Sequence, residues 1–351
     1  MIELNGVRDA LATLTDAPPR FFRVPGCVTL LGDETALADG FALTLACDRA
    51  VVVAYAPRED GEVHVLVDGL ADARYADLGR AFGTAGADIA MRAAIPAGLG
   101  TATVAAYEVG VALALLGDRE AAAAALAGGP GRARRPAHAT SLYAERDNAL
   151  LIDARTAVAS AVPLEASEVA ILLCDPHLRD EDRGLRAAAR LAACEEAAAI
   201  LREELPKVRT LRDVSLADFV RNADRLPAAL QPRVRHIVTE NVRVLQAVAA
   251  LRAKDFAALG GHLNDSHESL RDDFAVGAPE LDVLAAAARS VRGVYGARMT
   301  ATDGGGAVIV LARREAVPSL RTQLATTART TLGRDPGFVD VRPLAGAQPI
   351  G

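Results

Sequence analysis

The first 165 residues carry short alternating runs of apolar and polar positions, which predict β-strands separated by polar turns. Phe21–Leu31 is the first such run, and Phe41–Cys47 predicts a strand that returns after the polar turn Gly32–Gly40. Arg49–Ala56 and Glu62–Val67 are predicted to pair as a hairpin. The other elements predicted here are helices over Val7–Leu14, Val104–Leu116 and Arg119–Leu126, and a strand over Ala149–Asp153.

The rest of the chain is dominated by the three- and four-residue spacing of apolar positions that is typical of helices. Pro279 suits a first helical turn, and Gly333 suits a helix end. Helices are predicted over Gly184–Glu204, Arg233–Leu251, Ala253–Ser266, Pro279–Val291 and Val317–Leu332, and strands over Val169–Cys174, Ala307–Leu311 and Phe338–Val341. The pattern predicts an α+β fold of two domains, residues 1–165 and 166–351.

The stretch Ile95–Thr103 contains two glycines, Gly98 and Gly100, directly before a predicted helix. Glycine lets backbone N–H groups approach a ligand closely, and Thr101 or Thr103 could cap the helix. Because the N-terminal end of a helix attracts negative charge, this loop is a candidate phosphate site. The alternative is a tight turn into a buried helix, and a single Gly-x-Gly does not decide between them.

Composition excludes several classes of protein. Hydrophobic residues make up 51% of the chain and charged residues 24%, which is typical of a globular protein. A net charge of −6 and an aromatic content of 4% exclude a broad surface for nucleic acid. The basic run Arg132, Arg134 and Arg135 could attract one anionic group, or it could be a solvated loop.

The four cysteines lie far apart in the sequence and form no Cys-x-x-Cys pair, so neither a zinc site nor a disulfide framework is indicated. The chain has no apolar run of the roughly 18 residues that a membrane span needs, and no apolar signal segment near its first residue. We therefore expect a cytoplasmic protein with reduced thiols and no membrane partner.

Three carboxylates fall in the turn Gly32–Gly40, namely Asp33, Glu34 and Asp39. Carboxylates grouped in this way can hold a hydroxylated substrate or a metal ion. Charged residues between two strands more commonly face water, so the sequence favours a solvated loop.

The order of motifs resembles the GHMP kinases, and the galactokinases in particular, over most of the chain. The family's Pro-Gly-Arg-Val-Asn-Leu-Ile-Gly-Glu-His-Thr-Asp-Tyr is echoed by Pro25–Leu37, and its phosphate loop Ile-Pro-Leu-Gly-Ala-Gly-Leu-Ser-Ser-Ser-Ala aligns without gaps on Ile95–Ala105. The family motifs found further along the chain are Arg235–Asn241, Ser266–Asp273, Pro279–Asp282 and Tyr295–Thr300.

The resemblance implies a two-domain GHMP kinase fold, with an S5-domain-2-like N-terminal domain and a ferredoxin-like, helix-rich C-terminal domain. It implies a sugar as the small-molecule substrate, and ATP and Mg²⁺ as cofactors. By this resemblance Thr103 would reach the metal-bound phosphate. The other residues it assigns to cofactor or substrate are Pro96, Gly98, Gly100 and Thr101 for ATP, and Asp33, Glu34, Asp39 and Gly305 for the sugar.

The chain departs from the family pattern at the positions to which the resemblance assigns catalytic and binding residues. The family's arginine falls on Cys27, the aspartate that meets the sugar 1-hydroxyl on Ala137, and the aspartate that grips the sugar hydroxyls on Ala36. The metal-binding glutamate falls among Ala121–Ala125, and the serines of the phosphate loop are reduced to Thr103. The stretch before Met91 is also shorter than in the family.

Three functions remain open on this evidence: a kinase with a changed small-molecule substrate or much reduced activity, a catalytically inactive relative that binds a small molecule or a protein partner, and a structural subunit. Asp33 and Glu34 are candidate catalytic residues, and His138, next to the vacated aspartate position, is a candidate replacement base. His236 and His267 are expected to hold helices together, and His64 to lie at the surface.

Overall fold

A computed structural model of the protein describes residues 4–83, 85–96, 99, 101–128, 132–164, 167, 169–178, 183–300 and 306–350. The fold is α+β, as predicted. The helices are α1 Leu4–Ala12, α2 Ala73–Ala81, α3 Thr101–Leu116, α4 Arg119–Ala127, α5 Arg135–Tyr143, α6 Arg183–Glu204, α7 Leu216–Asn222, α8 Gln231–Arg252, α9 Phe256–Ser269, α10 Pro279–Arg289 and α11 Val317–Leu332. The strands are β1 Arg20–Leu31, β2 Phe41–Pro57, β3 Val63–Val67, β4 Leu70–Ala71, β5 Ala87–Ala93, β6 Asn148–Asp153, β7 Val158–Pro163, β8 Val169–Asp175, β9 Val294–Met299, β10 Val308–Arg313, β11 Gly337–Val341 and β12 Gln348–Pro349.

The strands form two sheets. The first has the order β12-β1-β2-β5-β3-β4, with β6 also pairing β2 and β7 pairing β6. The second has the order β11-β8-β10-β9 and is antiparallel throughout. One apolar cluster joins the two sheets, since it contains Leu45 and Val109 of the first part and Leu173 and Ile309 of the second.

The predicted hairpin of Arg49–Ala56 with Glu62–Val67 is wrong. These residues lie in β2 and β3, and both strands pair with β5 instead: β2 antiparallel and β3 parallel. The weakly patterned stretch between β3 and β5 contains α2, which supplies the crossover that a parallel pair requires. Periodicity located these extended segments but carried no information about their partners, and it divided the continuous β2 into two predicted strands, Phe41–Cys47 and Arg49–Ala56.

Helix α3 lies in the centre of the first part and is buried on all sides, whereas a surface helix would be buried along one face only. Every residue from Ala105 to Ala112 is buried, a run of more than two turns, so all sides of the helix are covered. At Gly110 a Cβ would lie 3.0 Å from Met91 Sδ, so the helix crosses close to the sheet. Strand and helix packing therefore fix the start of α3, which the glycine-containing loop precedes.

Five of the six helices described in the second part were predicted with bounds within about three residues, whereas the short α7 was not predicted. Helix α11 has the predicted bounds, and Gly333 ends it with a φ of 67°. Helix α5 was not predicted, because its apolar and polar residues are nearly all buried and show no amphipathic period. In the described part of the chain, no helix combines the length and the hydrophobicity needed to cross a bilayer.

Candidate functional site

The turn between β1 and β2 has an unusual backbone. Glu34 and Asp39 adopt left-handed conformations, with φ of 67° and 59°, and Gly32 has a φ of 90°. A Cβ at Gly32 would lie 2.4 Å from the Phe41 carbonyl oxygen, so only glycine fits there. Thr35–Ala38 form a buried 3-10 helix between the two left-handed residues. Such strain persists only where surrounding contacts enforce it.

Those contacts come from α8 and α9. Glu240, which is fully buried, accepts hydrogen bonds from the Gly32 backbone N–H at 2.9 Å and from the Ser266 hydroxyl at 2.8 Å. Asn241 Oδ1 accepts from the Phe41 backbone N–H at 2.8 Å. Glu240 and Asn241 of the Arg235–Asn241 motif therefore hold the two ends of the turn by hydrogen bonds. The sequence alone did not predict this role.

The Asp33 carboxylate is ion-paired with Arg298, the largest fully buried side chain in the described residues. The Arg298 guanidinium also donates to the Met299 carbonyl at 2.7 Å and the Leu30 carbonyl at 3.1 Å. Burial lowers the pKa of Arg298 to about 9. The pair joins the turn after β1 of the first sheet to β9 of the second.

The other two carboxylates of the turn also lie beside arginines. Glu34 Oε2 lies 3.4 Å from Arg190 Nε, and Asp39 Oδ1 lies 3.8 Å from an Arg135 nitrogen. The solvated-loop interpretation of this turn is therefore wrong: most of it is buried, and its charges face arginines from distant elements. The catalytic and substrate-binding roles of Asp33, Glu34 and Asp39 stay predictions, and any ligand there must share these carboxylates with arginines.

Two of the positions at which family residues are replaced, Cys27 and Ala137, lie in the same apolar cluster and are neutral. Cys27 is buried, and burial raises the pKa of its thiol to about 12 although Thr140 hydrogen-bonds to it. The Thr140 hydroxyl lies 2.6 Å from the Thr44 hydroxyl and donates to the Pro136 carbonyl at 2.7 Å. Ala137, one turn before Thr140 on α5, is also buried. Hydroxyl, thiol and methyl groups therefore replace a charged pair.

An ionisable cluster that the sequence did not predict lies on the next face of α5. His138 Nε2 is 2.6 Å from Glu108 Oε2 on α3, and Arg134 donates two hydrogen bonds to the same carboxylate at 2.6 and 2.8 Å. Burial acts to raise the pKa of Glu108, but the hydrogen bonds from His138 and Arg134 outweigh burial and lower it. Glu108 is the one charged residue of the otherwise apolar helix α3, and this isolated charge is the feature of the sequence that could have indicated the cluster.

The glycine loop is only partly within the described residues: Gly98, Gly100 and, on the other side, Gly305 lie outside them. Pro96 is half-buried, and its carbonyl accepts from the Leu99 backbone N–H at 3.0 Å. Helix α3 begins at Thr101 with no acidic residue in its first turn, and Thr103 is half-buried. The start of this 16-residue helix is therefore electrostatically suited to an anion.

The histidines expected to hold helices together do so. His236 Nδ1 lies 2.9 Å from the Ser269 hydroxyl, and its Nε2 lies 3.3 Å from the Asp33 carbonyl oxygen. His267 Nδ1 accepts from the Met299 backbone N–H at 3.1 Å, and its Nε2 lies 3.1 Å from Asp282 Oδ1 of α10. Burial lowers the pKa of both imidazoles to about 4. His64 is half-exposed beside Asp88, as expected of a surface strand residue.

Stability is expected to fall as the pH is lowered from 6.5 towards 4. Between these values the unfolded chain binds protons at His236 and His267 that the folded protein does not bind, because the folded pKa of each is about 4. Each histidine contributes at most about 1.4 kcal/mol per pH unit. Urea unfolding at several pH values measures the slope. His236→Gln and His267→Gln should each reduce this slope; a slope unchanged in both variants would contradict the assignment.

Comparisons with known proteins bear on this site. Residues 12–57 match the family described as galactokinase galactose-binding signature, and residues 247–329 match the GHMP kinases C terminal family. Galactokinases of Roseiflexus sp. and Chloroflexus aggregans are each 35% identical to this chain over 90% of its length, which covers 89% and 90% of those proteins.

The fold has matches among solved structures. Lactococcus lactis galactokinase complexed with galactose superimposes with a TM-score of 0.86 at 22% identity, covering 98% of both chains. Mevalonate diphosphate decarboxylase from Staphylococcus aureus gives a TM-score of 0.60 at 14% identity, covering 95% of this chain and 98% of that one. The two-layered sheet and helix arrangement is thus similar to that of both proteins.

Proposed function

Because this chain belongs to the galactokinase family of GHMP kinases, we propose that it binds a nucleotide phosphate at the start of α3 but transfers phosphate to galactose at a rate near background. The neutral cluster around Cys27 and Ala137 carries this proposal. Phosphoryl transfer depends on positioning and on neutralising the charge that spreads over the transferred group. A buried thiol and a methyl group supply neither a fixed cation nor a proton acceptor.

Nucleotide binding has better support than transfer. The backbone N–H groups at the start of α3 and the hydroxyls of Thr101 and Thr103 suit a phosphate. ATP would supply the phosphoryl group there, and Mg²⁺ would neutralise its charge. For the metal the donors are few: Thr103 offers one hydroxyl, while the Glu108 carboxylate on the same helix is bonded by His138 and Arg134. No group of three or more potential metal ligands lies together among the described residues.

A second candidate function is phosphorylation of a small-molecule alcohol other than galactose, and one observation favours it. His138 is buried, with Nε2 on Glu108, and its Nδ1 has no hydrogen-bond partner within the described ranges. With its proton on Nε2, the imidazole presents a lone pair at Nδ1 and could accept a proton from an alcohol. If the protein released ADP in the presence of another alcohol, and the variant His138→Gln did not, this candidate would be favoured. If no alcohol led to ADP release, a function through a protein partner would be favoured instead.

We also propose that the chain divides near residue 165. The first sheet uses strands between residues 20 and 163 and the second uses strands between residues 169 and 341, which supports the division into residues 1–165 and 166–351. The short β12 is the exception, since its Pro349 pairs with Phe22 of β1.

Calorimetry is expected to show that ATP binds and that its affinity depends only weakly on magnesium. Removing Mg²⁺ with a chelator should change the dissociation constant by less than about tenfold, equivalent to about 1.4 kcal/mol. The reason is the small set of metal donors near Thr103. Thr103→Val should weaken binding, and Thr326→Val, at an exposed position of α11 outside this site, is the matched control. Tight binding that disappears on chelation would contradict the proposal, as would no binding at all.

A further inference from the structure

A cavity of about 300 Å³ lies away from the glycine loop, between the residue that follows β7 and the second sheet. Its floor is apolar and well packed: Leu164, Val169, Ile171 and Val341 are all at least nine-tenths buried. The volume is at the lower end of the range for small-molecule pockets, about 300–1,000 Å³. The floor is therefore a preformed surface for a small apolar group.

The walls of this cavity carry two arginines. Arg314 donates from Nε to the Ser167 carbonyl at 2.9 Å, which holds its stem while its two terminal nitrogens have no partner among the residues described. Arg342 is exposed and forms no hydrogen bond or ion pair within that same part of the chain. Guanidinium groups bind carboxylate and phosphate oxygens through paired hydrogen bonds.

The acidic residue that lines the cavity does not cancel these charges. Asp340 accepts a hydrogen bond from Arg321 of α11 at 2.8 Å, so its carboxylate is already paired. The cavity thus has an excess of positive charge on a chain whose net charge is −6. Such a local reversal of sign concentrates anions at one place on the surface.

We propose that this cavity is a second ligand site, specific for a small organic oxyanion: a carboxylate or phosphate monoester with a compact apolar body. The oxyanion lies between Arg314 and Arg342, and the apolar body covers Leu164 and Ile171. The ligand contacts residues from both parts of the chain, so its binding stabilises their packing. This site does not depend on the proposed function of the glycine loop.

Calorimetry and thermal unfolding with phenyl phosphate as the probe test the proposal. We expect binding with a millimolar or lower dissociation constant, a raised unfolding midpoint by mass action, and weaker binding of inorganic phosphate, which lacks an apolar body. Arg342→Met and Arg314→Met should each weaken binding about tenfold, since each removes charge-assisted hydrogen bonds. Arg329→Met removes the same charge from an exposed pair with Asp335 outside the cavity and should have no effect.

The glycine loop also attracts phosphate, so the two sites must be separated. Binding of phenyl phosphate should persist in Thr103→Val and in the presence of saturating ATP. Binding that is displaced by ATP, or that is unchanged in Arg314→Met/Arg342→Met, would overturn the assignment to this cavity. Absence of binding at 10 mM probe, roughly ten times the 1 mM dissociation constant taken as the weakest expected, would overturn it as well.

Discussion

With galactose and ATP, the purified protein is expected to release ADP about 10⁴ to 10⁵ times more slowly than the typical enzyme turnover of roughly 10 per second. Ala36 cannot grip sugar hydroxyls, and loss of alignment alone removes a factor of about a hundred. Cys27 is neutral and buried, and loss of one electrostatic donor removes a further factor of about a hundred to a thousand. A coupled assay for ADP measures the rate.

The galactokinase of Roseiflexus sp., prepared and assayed in parallel, is the control for this assay. Turnover by the present chain within a factor of ten of that enzyme would refute the proposal. The triple variant Cys27→Arg/Ala36→Asp/Ala137→Asp should regain a small rate. All three positions are buried, so the charges must be introduced together: Cys27→Arg alone should unfold at lower urea than Cys27→Arg/Ala137→Asp, in which the guanidinium has a partner.

The largest loss of stability is expected for Asp33→Ala, about 3–5 kcal/mol in the free energy of unfolding. The substitution leaves the Arg298 guanidinium fully buried without its counter-charge, while its bonds to the Met299 and Leu30 carbonyls remain. Burial lowers the pKa of Arg298 to about 9, because an environment without water disfavours the cation. Urea unfolding measures the difference.

Asp340→Ala is the matched control, because it also removes one carboxylate from one arginine, but at the surface. An exposed ion pair contributes about 0–1 kcal/mol, so this variant should be nearly as stable as the unmodified protein. Asp33→Asn should fall between the two, since an amide oxygen still accepts a hydrogen bond. If Asp33→Ala and Asp340→Ala unfolded at the same urea concentration, the pair with Arg298 would have no special role in stability.

The Asp33→Ala variant also separates two roles for Asp33. The resemblance to galactokinases makes Asp33 a candidate for binding or catalysis, whereas the ion pair with Arg298 makes it a structural residue. A stable Asp33→Ala protein with altered ligand binding would support the first role. An unstable one supports the second and leaves Glu34, beside Arg190, as the carboxylate better placed for a ligand.

The sequence by itself predicted most individual elements, because apolar periodicity and local punctuation are properties of neighbouring residues. The bounds of α11 and its end at Gly333 were predicted correctly, as were the start of α10 at Pro279 and the strand of β1. The motifs also predicted the family. The same local information could not show that β2 pairs with β5, since strand partners are decided by the connection between them.

Only the tertiary structure decided how the charged residues of the site are used. Asp33 meets Arg298 and Glu34 meets Arg190 across more than 150 positions of sequence, and Glu108 meets His138 because α3 and α5 pack side by side. A charged side chain in a turn is exposed when no other element packs against the turn. It forms an ion pair when a buried arginine from a distant element lies beside it. The arginines beside Asp33 and Glu34 come from the other part of the chain, so the local pattern predicted a solvated loop where packing produced an ion-paired one.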